Sequence, residues 1–435
     1  MQIVIWSKLT PNEKVKLLTR SLEDNESQKV ESKVKEMINE ISTDGEKALF
    51  KYEKMFGNNS KTFLVSELEM TEGNKISAIQ KRSIKYAYNN IKQFYGKQVP
   101  KKVVIKNKFK TLEKVYVPIT NVGLYIPGGT CPLVSTILMT GTLAQIAKCK
   151  NVVMCTPTDK DGNINQAILY AAKLVGINKI FKIGGVQAIC AMGYGIGGVP
   201  KVNKIFGPGN QWVTEAKKQL GQNVPGLAID MPAGPSEVMV VADSSANPSF
   251  VAADLLAQTE HIGGRGILLT NSLKLAKEVE KNLKEQIPNL SAQSQTFISQ
   301  NKIDLVVVKD IAQALDIAND YAPEHLMLEV VKPQYWKTKV VNAGSVFLGN
   351  YSSEALGDYV SGTNHVLPTN QYAKCYSGLC TEAFMKSITF SNITKAGILD
   401  MKNATATLAD LESLDAHKQS VLIRCEQIKN QKEKK

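Results

Sequence analysis

PLVSTILMTGTLAQIAKCKNVVMCTP, residues 132–157, is the stretch whose reading decides the fold. Residues 132–150 carry small and apolar side chains without a period of two and read as a helix. NVVMCTP, 151–157, is a short apolar run bounded by turn residues and reads as a buried strand. Outward on the C-terminal side the alternation continues: NQAILYAAKLVG helix, KIFKIGG strand, VQAICAMGYG helix, KVNKIFG strand, QWVTEAKKQLG helix, then LAIDMPAGPSEVMVVAD. On the N-terminal side KVYVPITNVGLYIPGG, 114–129, reads as strands ending in a Pro-Gly-Gly turn. After 243 the pattern resumes, from the helix FVAADLLAQTEH and the strand GILLT through IDLVVVK, IAQALDIANDYA and HLMLEVV to GSVFLG. Strands alternating with helices across short loops predict an α/β fold, with parallel sheets covered by helices. Residues 26–100 alternate helical patterns with polar turns, and residues 1–24 read as a short helical lead-in.

With 435 residues, 43% hydrophobic and 21% charged, the chain has material for two or three core-bearing units. No apolar run approaches the roughly 20 residues that span a bilayer, and the N-terminus lacks the basic and apolar regions of a signal peptide. Seven cysteines without C-x2-C spacing predict reduced thiols and a cytoplasmic protein. The net charge of +13 is concentrated: residues 72–114 hold twelve Lys/Arg against two Glu. KRSIKYAYNNIKQFY has helical spacing with its lysines to one side, and no nucleic-acid motif accompanies it. The expectation is a solvated basic face and no nucleic-acid partner.

GYGIGG, 193–198, fits G-x-G-x-x-G but follows a helix and precedes a strand, the reverse of what a pyrophosphate site needs. It is read as a helix-to-strand loop. In NPSFVAADLLAQTEHIGG, Asn247 caps a helix with Pro248 at its first position, and Gln258 and His261 share the face of the last turn. That pair is either a polar helix end or two ligands to one cation. In EALGDYVSGTNHVLPT, Asp358 and His365 are expected on irregular backbone, as a surface loop or as a ligand and a base. Glu412 and His417, five apart in ESLDAHK, share no helix face well. In YAPEHL, Glu324 and His325 follow Pro323 at a strand start, pointing different ways, and suit two proton transfers around one substrate or a structural pair. Softer features are Gly128, Gly129 and Cys131 before a helix (an anion site or a thiol nucleophile), Asn210 near a helix cap, and Ser236 in a turn.

In order, LYIPGG, GGVQAI, IFGPGN, AGPSEV, AQTEH, YAPEHL, GDYVSGTNHVLP and LDAHK closely resemble the histidinol dehydrogenase family, from about residue 110 to 425. The resemblance implies two incomplete Rossmann-like parallel-sheet domains plus small N- and C-terminal helical appendages. The implied division is a lead-in over 1–25, a first α/β domain over 26–113 with 237–375 carrying the zinc and catalytic residues, a second, NAD-side domain over 114–236, and an appendage over 376–435. It implies a four-electron oxidation of L-histidinol through L-histidinal to L-histidine, with one zinc per subunit, NAD and one water. Carried over by position, the zinc ligands are Gln258, His261, Asp358 and His417, and the catalytic pair is Glu324 and His325. Substrate contacts are Ser236, Glu412 and His365 together with the ligands and His325. NAD contacts are Tyr125, Gln187 and Asn210. The family forms intertwined homodimers, which implies that Glu412 and His417 reach the partner's site. All four histidines then fall in one site.

Competing readings are a zinc- and NAD-dependent dehydrogenase of another amino alcohol or polyol, a thiohemiacetal route through Cys131, a zinc hydrolase using water activated by Glu324, and a catalytically silent nucleic-acid-binding protein.

Overall fold

The structure, a computed structural model, describes residues 2–20, 24–58, 62–128, 132–232 and 234–433. Gly129 and Cys131 lie outside them. In chain order the strands are β1 (Gln2–Ile5), β2 (Val103–Lys106), β3 (Lys110–Pro118), β4 (Asn121–Tyr125), β5 (Asn151–Cys155), β6 (Lys179–Phe181) and β7 (Lys204–Phe206). They continue as β8 (Ala228–Ile229), β9 (Glu237–Ala242), β10 (Arg265–Thr270), β11 (Lys302–Val307), β12 (His325–Glu329), β13 (Ser345–Leu348) and β14 (Met385–Ile393). The chain divides into two compact units, Met1–Gln98 with Ile119–Phe384, and Val99–Pro118 with Met385–Lys435.

The first unit holds two parallel sheets. One has the order β6-β5-β4-β7-β8, which is the 3-2-1-4-5 winding of a Rossmann sheet without its sixth strand. The other repeats that winding as β11-β10-β9-β12-β13 and adds β1 beside β11. The stretch that opened the analysis folds as read, into the nearly wholly buried helix Val134–Ala147 and β5. Strands β9 and β10 are buried along their whole length, because helices cover both faces of the sheet. That is why they read as apolar runs and not as alternation. The GYGIGG segment is a helix-to-strand loop: Gly195, in the left-handed region, ends the helix Gly185–Tyr194 ahead of β7.

Three expectations need correction. Residues 2–5 are not part of a helical lead-in; QIVI forms β1, parallel to β11. The helices over 24–96 do not join the β9–β13 sheet. The helix Asp24–Asp44 packs on Gly185–Tyr194 and Gln211–Asn223, and Ala78–Gly96 packs on Val134–Ala147, so this whole stretch covers the β4–β8 sheet. The third concerns the C-terminal segment, which is not only helical. Its first nine residues beyond Phe384 form β14, antiparallel to β3, while residues 376–384 stay with the first unit.

The second unit consists of the antiparallel sheet β14-β3-β2 and the helices Lys395–Leu411 and Asp415–Glu433, which pack on each other. Strand β2 is exposed throughout and β14 is exposed from Lys386 onward, including Val103, Val104, Ile105, Ile388 and Phe390. In Ala78–Gly96 the apolar Ala87, Tyr88, Ile91 and Tyr95 are buried while Arg82, Lys85 and Lys92 face solvent, as the lysine spacing predicts. Among the described residues no helix is long and apolar enough to cross a membrane.

Candidate active site

The helix Ile311–Tyr321 stops at Ala322, which adopts a left-handed conformation, and Pro323 cannot continue it. The next two residues are therefore delivered to the amino end of β12. Both are buried, Glu324 at 6% exposure and His325 at 2%. One neighbouring peptide grips the pair. Strand β9 runs beside β12 with Val238 opposite His325, so residue 237 lies at the same edge. The Glu237 N–H donates to Glu324 Oε2 at 3.0 Å, and the Glu237 carbonyl faces His325 Nδ1 at 3.3 Å. A carbonyl only accepts, so the proton sits on Nδ1 and leaves Nε2 as the basic nitrogen. Glu237 is itself fixed. Arg20 donates to both of its carboxylate oxygens at 2.8 and 2.6 Å, the Asn370 N–H adds a third bond at 2.6 Å, and the guanidinium stacks on Tyr321.

His325 Nε2 faces a carboxylate cluster. The short helix Glu354–Tyr359 places Glu354 and Asp358 four apart, on one face. Asp358 Oδ1 is 3.4 Å and Glu354 Oε1 3.9 Å from Nε2, and ligand atoms of the three residues lie within 4.8 Å of one another. Gln258, buried in the last turn of the helix Pro248–Thr259, donates its Nε2 to Glu354. Gln258 Oε1, Asp358 Oδ1 and His325 Nε2 are all buried without a hydrogen-bond partner. An unmet buried polar atom costs about 1–3 kcal/mol; a cation would satisfy the two oxygens, and His325 Nε2 beside them is left free to take a proton. The charge balance agrees, with three carboxylates around one imidazole. Burial pushes Glu324 up to about 8 and Glu354 up to about 9. Burial opposes charge on His325, but Glu324, Asp358 and Glu354 outweigh it and raise the imidazole to about 10. Without a cation the cluster is balanced by protons; a divalent ion would take their place, leaving the carboxylates ionised and the imidazole neutral. The Gln258 amide oxygen and the Asp358 carboxylate, with the His261 imidazole three residues after Gln258, are a donor set that fits zinc.

The other expected residues fall as follows. Asp358 sits on a helix and not on irregular backbone, because Glu354–Tyr359 closes a full turn ahead of Gly362. His261 lies beyond the helix end: Pro248–Thr259 has its C-cap at Glu260, and His261 is exposed one residue further, its N–H still directed at the Gln258 carbonyl. His365 directs Nδ1 at the Asp358 carbonyl (2.9 Å) and Nε2 at Thr136 Oγ1 (3.1 Å), which joins the site loop to the other sheet's first helix. Burial lowers its basicity. Ser236, half-buried, immediately precedes Glu237. Glu412 and His417 belong to the second unit, where Glu412 caps Lys395–Leu411 and His417 lies in the first turns of Asp415–Glu433; both are exposed.

Tyr125 and Asn210 lie at the carboxyl ends of β4 and β7, where the strand order reverses and ligands of such sheets bind. Tyr125 is buried and its hydroxyl accepts the Gly185 N–H at 3.3 Å, two residues from buried Gln187. Asn210 caps the helix Gln211–Asn223 through the N–H groups of Trp212 and Val213. Between them Gly207, in the left-handed region, passes so close to the Tyr125 carbonyl that a Cβ would collide with it. The turn is pinned by the buried Lys217–Asp230 pair: Lys217 donates to the Gly207 carbonyl and Asp230 accepts the Gly207 N–H, each at 2.8 Å. The result is a tight, fixed turn at the switch point of the sheet.

Sequence reasoning missed Glu354. Its signal was the i, i+4 carboxylate spacing in EALGD, hidden by reading the segment as a loop.

Two Rossmann-like sheets and a buried acid–base pair beside a cluster of unpartnered donor atoms are the architecture of a dinucleotide-dependent oxidoreductase. A profile of the histidinol dehydrogenase family matches residues 20–425. Histidinol dehydrogenases from Bacteroides thetaiotaomicron and Pseudoalteromonas translucida are 48% and 44% identical, over 91% and 98% of this chain and 93% and 99% of their own lengths. The crystal structure of the Elizabethkingia anophelis histidinol dehydrogenase superposes with a TM-score of 0.91, at 42% identity and 99% coverage of both chains. The chain belongs to the histidinol dehydrogenase family.

Proposed function

We infer that the chain oxidises L-histidinol to L-histidine by way of L-histidinal, reducing two NAD and consuming one water, as the last step of histidine biosynthesis. The observation that carries this reading is the Glu237 peptide holding Glu324 and His325 together, with Nε2 turned toward the unpartnered atoms of the cluster. Gln258, His261 and Asp358, with His417 of the partner subunit, would hold zinc. Tyr125, Gln187 and Asn210 would contact NAD. Zinc and NAD would supply a fixed cation that positions the substrate and an acceptor for hydride.

The chain's own residues move the protons. His325 Nε2 takes the alcohol proton as hydride leaves the carbinol carbon. Glu324 takes a proton from the water that adds to the aldehyde carbon, and the resulting hydrate anion loses the second hydride to leave the carboxylic acid. Ser236 and His365 line the substrate, and Glu412 of the partner subunit accepts from its imidazole N–H. Burial of the pair keeps other water from the reacting carbon. Support for a homodimer comes from the second unit, whose sheet exposes apolar residues on β2 and β14 that a single chain leaves uncovered.

The test is a count. Zinc-loaded protein with limiting L-histidinol and excess NAD should yield about two NADH per substrate, lost on chelation and restored by zinc. Glu324→Gln keeps an acceptor for the Glu237 N–H but loses the base. It should stop near one NADH, with aldehyde trappable by semicarbazide. Two NADH at an undiminished rate from that variant would remove Glu324 from the second step. Turnover without NAD would replace the reading with a hydrolase.

A further inference from the structure

We propose that Glu354 is a positioning residue for the metal, fixing which end of the Gln258 amide is presented to it; the proposal rests on the reading of Gln258 as a ligand. A primary amide has two ends of nearly equal shape, and only the oxygen carries a lone pair for a cation. In solvent either end can face the ion. In a buried site the choice needs a partner that distinguishes them. Glu354 is that partner: it is 1% exposed, and its Oε1 takes the hydrogen bond from Gln258 Nε2. The amide oxygen is then the end without a partner, and it is buried. With the cation present and Glu354 ionised, turning the amide over would set its oxygen against a carboxylate oxygen.

The backbone makes the arrangement rigid. Glu354 and Asp358 share one face of the helix Glu354–Tyr359, so the group that orients the amide and the carboxylate beside it move as one piece. The helix is also tied to the Gln258 helix one turn earlier, where Ser353 Oγ donates to Asp254 Oδ1 at 2.9 Å. Asp254 and Gln258 are four apart in Pro248–Thr259, so two rungs join the helices. Outer groups that orient a ligand typically change metal affinity about 10–100-fold when removed.

The experiment is a double-mutant cycle on the full-length apoprotein: wild type, Glu354→Met, Gln258→Ala and the double variant. Zinc affinity is read by competition with a chromophoric chelator, and ligand geometry by the visible spectrum of the cobalt-substituted proteins. Glu354→Met should lower zinc affinity by about 10–100-fold and alter the cobalt spectrum. In the Gln258→Ala background the same substitution should cost nothing further, because no amide remains to orient. Additive losses would overturn the proposal and make Glu354 a direct ligand. Unchanged affinity in Glu354→Met beside a loss in Gln258→Ala would overturn it while leaving Gln258 as a ligand. Unchanged affinity in Gln258→Ala would overturn the ligand reading itself. Should the methionine variant not fold, Glu354→Ala gives the same cycle.

Discussion

Glu53 is a buried carboxylate far from the His325 cluster in sequence, placed where the helix Glu46–Met55 meets the loop before Gly185–Tyr194. It accepts from Asn58 Nδ2 at 2.7 Å and from the Gly184 N–H at 3.1 Å. Burial nonetheless dominates and raises its carboxyl from 4.5 to about 7. The folded state therefore binds this proton more tightly than the unfolded chain. Its contribution is fully present below the unfolded value and is lost as pH rises through the folded one. Stability should fall by roughly 1–3 kcal/mol between pH 5 and 8 from this group. In Glu53→Gln that slope should disappear, as denaturant unfolding at both pH values will show; parallel profiles for the two proteins would remove Glu53 as the cause. Single residues differ in how legible they are from sequence. Glu324 and His325 stand out because proline and a strand start isolate them. Glu53, Glu237 and Glu354 do not, because a buried glutamate is spelled like an exposed one, and its partners are as distant as Arg20 from Glu237.

At the scale of elements, the periodic segments were legible and their partners were not. The alternating run from 132 to 243 folds as read, since a strand buried on both faces and the helix that covers it leave different patterns. The strand QIVI was lost because four residues carry too little pattern. MKSITFSNI was lost because its chain neighbourhood is helical, although its side chains alternate. The helices over 24–96 show an apolar face, but a face does not say which sheet it covers. Under the proposed function the turn after β7 belongs to the NAD site. Lys217 is buried, pairs with Asp230 and donates to the Gly207 carbonyl. Lys217→Met leaves Asp230 buried without its counter-charge and the turn without its tie. A loss of about 3–5 kcal/mol in unfolding free energy is expected, together with a raised KM for NAD and little change in zinc affinity. An unchanged KM for NAD in the folded variant would mean that the turn is held by other contacts.

For the whole molecule, the two units differ in how completely they are buried. The first has cores on both sides of each sheet, whereas the second leaves β2, most of β14 and Leu408, Leu411 and Ile423 exposed. It also carries Glu412 and His417, two of the residues that the proposed site requires. An apolar surface and unassigned ligands on the same small unit are explained together if that unit is donated to a second copy of the chain. Subunit mixing separates donation from self-completion. His325→Asn disables the subunit's own site, and His417→Asn disables whichever site receives that histidine. If His417 crosses, a mixed dimer has one doubly damaged site and one intact site. Random reassortment makes about half of the dimers mixed, so two inactive proteins should together recover about a quarter of wild-type activity. If His417 serves its own subunit, every site in the mixture keeps one lesion and no activity returns. Measuring NADH production after co-refolding the two variants, with exchange verified by mass-tagged subunits, decides between them. Because each site would draw on both chains, dilution of the wild-type protein below its dimer dissociation constant should release zinc and abolish turnover together.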